Sequence, residues 1–206
     1  MSASPEEIAT RVRAAGSVAL LAGETLAAES GIAPRPATLE WDVYGPRMRT
    51  IHAAEPGPGH LAARRLQDGG WLRGVVTDAD DVLLDEAGVR DVVSLAGSVE
   101  LSVCPQCAYN EPLGCLLELL PRPRCAACGG PLVPDVVPAG EEAPADAVSR
   151  ARDVVADAGV LLLAGHGALA ALCEGRAGDT IVVGDDRPGA RLLAGADLLL
   201  GHGPPR

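Results

Sequence analysis

The chain has 206 residues, of which 48 % are hydrophobic, and carries a formal net charge of -11. This length and composition fit one globular domain with a small inserted module. A nucleic-acid binder needs a basic face and aromatic stacking platforms, whereas this sequence has two Trp, two Tyr and no Phe, so we expect no nucleic-acid partner. No apolar run reaches the roughly 20 residues of a membrane span, and the polar start has no signal-peptide core, so we expect a cytoplasmic protein without a membrane partner.

The first predicted element is an N-terminal helix. Ser4 is a typical N-cap, Pro5 suits the first helical position, and the two acidic residues that follow favour the positive end of the helix dipole. The helix should run to about Ala15. Residues 17–22 then form a short continuous apolar run, which is typical of a strand buried on both faces.

Similar apolar runs recur along the chain, and amphipathic stretches separate several of them. The clearest amphipathic stretch is 144–158, where Ala147, Ala151 and Val155 share one helical face. This alternation predicts an α/β protein, a Rossmann-like doubly wound parallel sheet, which a zinc-ribbon module interrupts. The further predicted strands are residues 74–77, 92–95, 159–163, 180–183 and 197–200.

Two Cys-x-x-Cys pairs lie in the segment that interrupts the sheet pattern. Their spacing is the ligand pattern of a tetrahedral four-thiolate zinc site, and the alternatives are two disulfides or free thiols. A site with four protein ligands has no open position for substrate, so we expect a structural zinc ion. We assign residues 99–134 to the zinc-binding module and residues 1–98 and 135–206 to the large domain. We expect Cys115 to be a small buried apolar group, and the four ligands are Cys104, Cys107, Cys125 and Cys128.

Several segments, in chain order, resemble the sirtuin family of NAD-dependent protein deacylases. The stretch 22–36 (AGETLAAESGIAPRP) is similar to the family's phosphate-binding segment. The stretch 75–88 (VVTDADDVLLDEAG) and the stretch 95–98 (LAGS) are similar to two further motifs, and the cysteine pairs follow at the family's place. The resemblance covers most of the chain and implies the sirtuin fold.

The resemblance also implies a cofactor site for NAD. Its contacts would come from five residues at the ends of predicted strands and in the loops that follow them. These residues are Gly23, Ser30, Asp81, Gly165 and Asp185.

The motifs that carry the family's chemistry depart from the family pattern. The histidine that acts as general base in the family corresponds to Ala96, which cannot accept a proton. The family asparagine corresponds to Ala79, and the acidic run around Asp81 is equally consistent with a solvated surface. Glu24 stands where family members bring backbone amides close to the phosphate. The repulsion between its carboxylate and a phosphate would be of order 1 kcal/mol in water and several in a partly buried site. NAD binding is therefore doubtful, and Arg35 is expected to lie on the surface.

These observations leave three hypotheses of different classes. The first is a sirtuin-like zinc-binding protein without deacylase activity, which binds a protein or small-molecule partner that the sequence does not identify. The second is an NAD-dependent protein deacylase with displaced catalytic groups. The third is an enzyme of another reaction type that uses the crevice around His166, Asp185 and Asp81. The segment between Pro46 and Pro58 is short, so the zinc module is expected to form the small domain nearly alone.

Overall fold

A computed structural model describes residues 2–176, 178–184 and 187–201. Parallel strands and helices alternate in it, and a smaller antiparallel sheet interrupts them. Within these residues, no helix is both long and apolar enough to cross a membrane. The elements in chain order are α1 (Pro5–Ala15), β1 (Val18–Ala22), α2 (Glu24–Ala28), α3 (Trp41–Ala53), α4 (Pro58–Asp68), β2 (Leu72–Thr77), α5 (Leu83–Glu86), β3 (Val92–Ser94), β4 (Gly97–Val103), β5 (Asn110–Pro112), α6 (Leu113–Leu119), β6 (Val133–Val136), α7 (Ala145–Ala156), β7 (Val160–Ala164), α8 (Ala168–Ala171), β8 (Asp179–Val182) and α9 (Pro188–Leu200).

The main sheet has five parallel strands in the order β3-β2-β1-β7-β8. Leu20 of β1 pairs with Val75 of β2 on one side and with Leu162 of β7 on the other. Every residue of β1 and β7 is buried, as their continuous apolar sequences require of strands that are covered on both faces. The predicted Rossmann-like doubly wound sheet is confirmed.

Helices cover both faces of this sheet. On one face, α1, α4 and α9 pack around buried Trp71, Leu20 and Leu162. On the other face, α7 presents Ala147, Ala151 and Val155, the residues that its amphipathic pattern predicted. The two faces therefore have separate apolar clusters, as expected of a sheet that lies between two layers of helices.

A second sheet of three antiparallel strands, β5-β4-β6, carries the cysteine pairs. Gly97 at the start of β4 pairs with Val136 at the end of β6. Helix α3 packs against α6, and its Tyr44, Met48 and Ile51 share one apolar cluster with buried Cys104. We call α3 together with residues 97–136 the small domain. The sequence had suggested that the zinc module forms this domain nearly alone, but α3 is also part of it.

The predicted elements near the chain ends differ in their outcome. Helix α1 spans Pro5–Ala15, and the side chain of Ser4 accepts a hydrogen bond from the amide of Glu7, as predicted. The strand predicted at residues 197–200 is wrong, because these residues form the last turn of α9. Buried Leu192, Ala196 and Leu199 recur at helical spacing, and a four-residue window is too short to show it.

Candidate functional site

The candidate site lies where the main sheet reverses its strand order. From β1 the chain proceeds to β2 and β3 on one side, and later to β7 and β8 on the other. Open α/β sheets bind ligands in the crevice at the carboxyl ends of the strands at such a point. A cavity of about 390 Å³ lies there, and its lining residues are Gly23, Glu24, Thr25, Ala28, Pro34, Asp78, Gly165, His166 and Gly167.

Two of the predicted site residues, Gly23 and Gly165, form the floor of this crevice. A Cβ atom added to Gly23 would lie 2.7 Å from the Cα atom of Gly165, and the amide of Gly23 donates to the carbonyl of Ala164 at 2.8 Å. Thr25 Oγ1 donates to the same carbonyl at 2.8 Å. Both glycines are therefore required by the close approach of the turns after β1 and β7, whichever ligand the crevice holds.

Three ionisable side chains meet at one side of the crevice. Glu24 Oε1 accepts a hydrogen bond from the backbone amide of Arg35 at 3.0 Å and lies 3.9 Å from Arg35 Nε. Arg35 was predicted to lie on the surface. The structure shows otherwise, since only 12 % of its side chain is exposed. Burial, together with repulsion from Glu24, raises the pKa of Asp78 to about 6, although Arg35 opposes the shift. His166, the histidine singled out in the sequence, lines the same cavity.

The acidic run that follows β2 is not a solvated surface. Asp80 is fully buried and accepts hydrogen bonds from Arg47 Nε at 3.1 Å and Arg47 Nη2 at 2.5 Å, and also from the hydroxyl of Tyr44. Arg47 Nη1 donates in addition to the carbonyl of Ala33. This buried network joins α3 to the loop after β2 and to the segment that enters the crevice. Nothing in the sequence pattern indicated it.

Of the remaining predicted cofactor residues, Asp81 and Ser30 lie outside this cavity. Asp81 Oδ1 accepts a hydrogen bond from the amide of Leu83 at the start of α5, and burial raises the pKa of this carboxyl to about 6. Ser30 does not line the cavity, and its hydroxyl faces Gly57, where an added Cβ atom would lie 2.8 Å away. Asp185 lies outside the described residues. Their roles towards a cofactor stay predictions.

A larger cavity, of about 860 Å³, lies beside α7 and α8 and contains none of the predicted site residues. Apolar side chains dominate its wall, among them Leu95, Val148 and Leu172. The guanidinium group of Arg176 at its edge donates to the backbone carbonyls of Val155 at 3.0 Å and Asp179 at 3.2 Å. This cation is thus held by backbone carbonyls, and the other charged residues that line the cavity are Glu141, Glu142, Arg152 and Glu174.

The four predicted zinc ligands converge in the small domain. Their Sγ atoms all lie within 4.8 Å of one another, with Cys104 and Cys128 3.5 Å apart and Cys107 and Cys125 3.6 Å apart. Four sulfurs bound to one zinc ion at about 2.3 Å stand roughly 3.8 Å from each other, so the arrangement fits a tetrahedral site. No disulfide joins any two of them, as a four-thiolate site requires. Cys115 was predicted to be buried, but it is exposed.

The two cysteine knuckles have the same backbone design. The amide of Ala108 donates to the carbonyl of Cys104 at 2.8 Å, and that of Gly129 donates to the carbonyl of Cys125 at 2.9 Å. Both turns need a left-handed residue directly after the second cysteine, with φ of 57° at Ala108 and 73° at Gly129. Only the second knuckle has the glycine that this conformation favours.

We expect Ala108→Gly to stabilise the zinc module by about 0.5–1 kcal/mol, because it relieves the left-handed alanine and removes only an exposed methyl group. Chemical denaturation and zinc competition with a chelator measure the effect. The matched control is Ala126→Gly in the other knuckle, where φ is negative and glycine should destabilise by a similar amount. The prediction would be contradicted if both substitutions changed the free energy of unfolding in the same direction and by the same amount.

The chain matches a known protein family. The model of the Sir2 family matches residues 13–170 of the chain. The chain belongs to the Sir2 family. The resemblance to sirtuins in the sequence motifs is thereby confirmed.

Curated relatives are similar over about two thirds of the chain. An NAD-dependent protein deacylase of Thermococcus kodakarensis is 40 % identical over 133 residues, which are 62 % of this chain and 52 % of the relative. NAD-dependent protein deacylase 2 of Pyrobaculum aerophilum is 40 % identical over 142 residues, which are 69 % of this chain and 56 % of the relative. The chain thus spans about half the length of the curated relatives that it matches.

Solved Sir2 structures share the whole architecture. A Sir2 homologue in complex with NAD superposes with a TM-score of 0.83 at 24 % identity, covering 96 % of this chain and 94 % of that chain. An ADP-ribose complex of a mutant Sir2 homologue superposes with a TM-score of 0.78 at 25 % identity, covering 91 % and 94 %. The likeness to the NAD complex extends the Sir2 fold to β8 and α9, beyond the residues 13–170 that the family model matches.

The positions of the Sir2 motifs can now be located in space. Ala96 follows β3 and is buried, its amide donates to Ser94 Oγ at 3.2 Å, and its carbonyl accepts from the amide of Val137 at 2.8 Å. Ala79 is also buried, and its amide donates to Thr77 Oγ1 at 3.1 Å. Both alanines are thus held by backbone hydrogen bonds, with methyl groups where the resemblance implies proton-transfer and polar groups.

Proposed function

We propose that the chain is a zinc-stabilised Sir2-family protein that binds a ligand or partner and does not catalyse NAD-dependent deacylation. The observation that carries the proposal is Ala96 at the position of the family's general base. A methyl group neither accepts a proton nor relays one. The zinc ion would be held by Cys104, Cys107, Cys125 and Cys128, and would support the small domain without access to substrate.

The crevice supports the same proposal from the side of the cofactor. Turns that bind pyrophosphate bring backbone amides close to the phosphate oxygens. Here the carboxylate of Glu24 lines the crevice, and the nearest guanidinium nitrogen, Arg35 Nε, lies 3.9 Å from it without a hydrogen bond. An incoming pyrophosphate would meet a negative charge in a partly buried position. Weak binding of NAD is the expected consequence.

The proposal predicts that the purified protein releases no nicotinamide above background from NAD and acyl-lysine peptides. The reason is the missing base at Ala96, and chromatographic measurement of nicotinamide and of deacylated peptide checks it. The Thermococcus kodakarensis relative, assayed in parallel, is the control for active reagents. Nicotinamide release in proportion to the acyl groups removed would overturn the proposal.

A second candidate function is deacylation with displaced groups, and one observation favours it. Asp78 lines the crevice and has a pKa raised to about 6, which is a useful value for a general base near neutral pH. If nicotinamide release is found, Asp78→Asn should abolish it. Asp68→Asn, which changes an exposed carboxyl that pairs with Arg64 away from the crevice, should leave most of it.

A further inference from the structure

The two faces of the main sheet are not covered equally by helices. Five strands spaced about 4.8 Å apart span about 19 Å, and a helix with its side chains is about 10 Å across, so each face needs about two helices side by side. On one face, α1, α4 and α9 meet this need. On the other face, α7 packs against β2 and β3, and the position beside it holds only α8 among the described residues.

The short connection from β7 to β8 is the cause of this difference. Neighbouring parallel strands are usually joined by a crossover that contains a full helix. In this connection the structure describes one helix, α8, whose four residues make one turn about 6 Å long. The edge strand β8 shows the consequence: Ile181 is buried towards the face with three helices, whereas Val182, its neighbour on the opposite face, is 50 % exposed.

The cavity of about 860 Å³ is a groove that follows α7 at this position. The residues of α7 that line it recur at helical spacing and form one stripe about 12 Å long. These residues are Val148, Arg152, Val155 and Ala156. The opposite wall comes from α8 and the residues after it, with Ala171 and Leu172 as apolar members. A groove that runs along one helix and is bounded by a second one has the shape that accepts a further helix.

The charges at the rim of the groove favour a basic partner. Glu141, Glu142 and Glu174 line it and are exposed. Of the two guanidinium groups in the lining, that of Arg176 is held by backbone carbonyls, which leaves Arg152 as the other cation. The whole chain has a formal net charge of -11, which disfavours a second copy of the chain and attracts a cationic partner.

We propose that this groove binds an amphipathic helix of another protein, with apolar residues at i, i+3, i+4 and i+7 against α7 and with Lys or Arg at both ends. The bound helix takes the position of a full crossover helix and completes the second layer on this face of the sheet. The inference rests on the proposed function in that it names the class of partner. Its surface is separate from the crevice, since the two linings share no residue.

Four labelled peptides of about 15 residues test the proposal. The first three have Leu at i, i+3, i+4 and i+7 in a background of Ala and Gln, and carry Lys, Gln or Glu at both ends. The fourth is the Lys peptide with a central Pro, which breaks the helix. Fluorescence anisotropy with the zinc-loaded full chain should show saturable binding of the Lys peptide and at least about tenfold weaker binding of the Pro peptide.

The charged ends should change the affinity by a smaller factor that depends on salt. At low salt we expect the Gln peptide to bind about threefold more weakly than the Lys peptide, and the Glu peptide to bind most weakly. High salt should reduce these differences. Glu141→Gln combined with Glu142→Gln should remove most of the preference for Lys. The matched control is Glu100→Gln combined with Glu118→Gln, which neutralises two exposed acids outside the groove.

A longer side chain in the groove should block the helix. Ala156→Gln replaces an exposed methyl group of the α7 wall and should weaken binding of the Lys peptide at least about tenfold. Ser149→Gln is the matched control, because Ser149 is an exposed residue of the same helix that does not line the groove. Unchanged unfolding midpoints of both variants exclude misfolding as the cause.

Each possible failure has a separate meaning. The proposal would be overturned by the absence of saturable binding of the Lys peptide, by equally tight binding of the Pro peptide, or by full binding to the Ala156→Gln variant. Self-association of the chain that Ala156→Gln abolishes would assign the groove to a second copy and would also overturn it. Nicotinamide release by a protein that still binds the Lys peptide would overturn the absence of deacylation alone.

Discussion

Removal of zinc is expected to unfold the small domain while the five-stranded sheet stays folded. Two of the four ligands, Cys104 and Cys125, are buried in the same apolar cluster as Tyr44, Met48 and Leu116, so the thiolates and the core are one structural unit. Structural zinc sites contribute on the order of 10 kcal/mol to the domains that they hold. The main sheet has its own two clusters, with no metal ligand in either.

The two tryptophans of the chain report on the two domains separately. Trp41 at the start of α3 donates from Nε1 to the carbonyl of Leu132 at 2.7 Å, whereas Trp71 is buried between α4 and β2 in the main domain. In a Trp71→Phe variant, treatment with a strong chelator should shift the emission of Trp41 to longer wavelength. In a Trp41→Phe variant, the same treatment should leave the emission of Trp71 in place.

Single cysteine variants extend this experiment. Cys128→Ser removes one ligand and should reproduce the effect of the chelator, while Cys115→Ser changes an exposed thiol of the same domain and should have none. If metal-free protein kept the native Trp41 emission, or if both serine variants behaved alike, the four-thiolate site would not be what holds the small domain.

The sequence predicted those features of the fold that depend on short-range patterns. The buried runs of β1 and β7, the capped helix α1 and the paired cysteines each carry their signal within a few neighbouring residues. The strand predicted at 197–200 failed for the same reason, since three leucines in a row are compatible with a strand or with the buried end of a helix. Helix α3 was missed because Gly45 and Pro46 oppose a helix locally, and packing against α6 overrides them.

The candidate site was predictable only in part, because its decisive pairings join distant segments. The motif comparison identified Glu24 and Ala96 by their positions alone. It placed Arg35 on the surface, although the carboxylate of Glu24, eleven residues earlier in the chain, accepts a hydrogen bond from its amide and lies close to its side chain. The run Asp78, Asp80, Asp81 has the sequence of a solvated loop, and only the fold shows that each carboxyl is largely buried with a different partner environment.

Asp80→Ala is expected to destabilise the protein by about 3–5 kcal/mol, the largest effect of any single substitution near the crevice. The substitution leaves the charge of Arg47 and the hydroxyl of Tyr44 buried without their shared acceptor. Burial and the Asp80 carboxylate both raise the pKa of Tyr44, so its hydroxyl stays protonated and keeps its need for an acceptor. Chemical denaturation of the zinc-loaded protein measures the loss.

Two comparison variants distinguish the buried pair of Arg47 and Asp80 from an ordinary ion pair. Asp68→Ala breaks the exposed pair with Arg64 and should cost less than about 1 kcal/mol. Arg47→Met combined with Asp80→Leu removes both buried charges. This double variant should be less destabilising than Asp80→Ala alone, because no unpaired charge remains in the interior.

The double variant should also loosen the segment that leads to Arg35, since Arg47 holds the carbonyl of Ala33. Faster amide exchange in residues 33–36 would show this change. A cost for Asp80→Ala as small as that of Asp68→Ala would mean that this network does not join α3 to the main sheet.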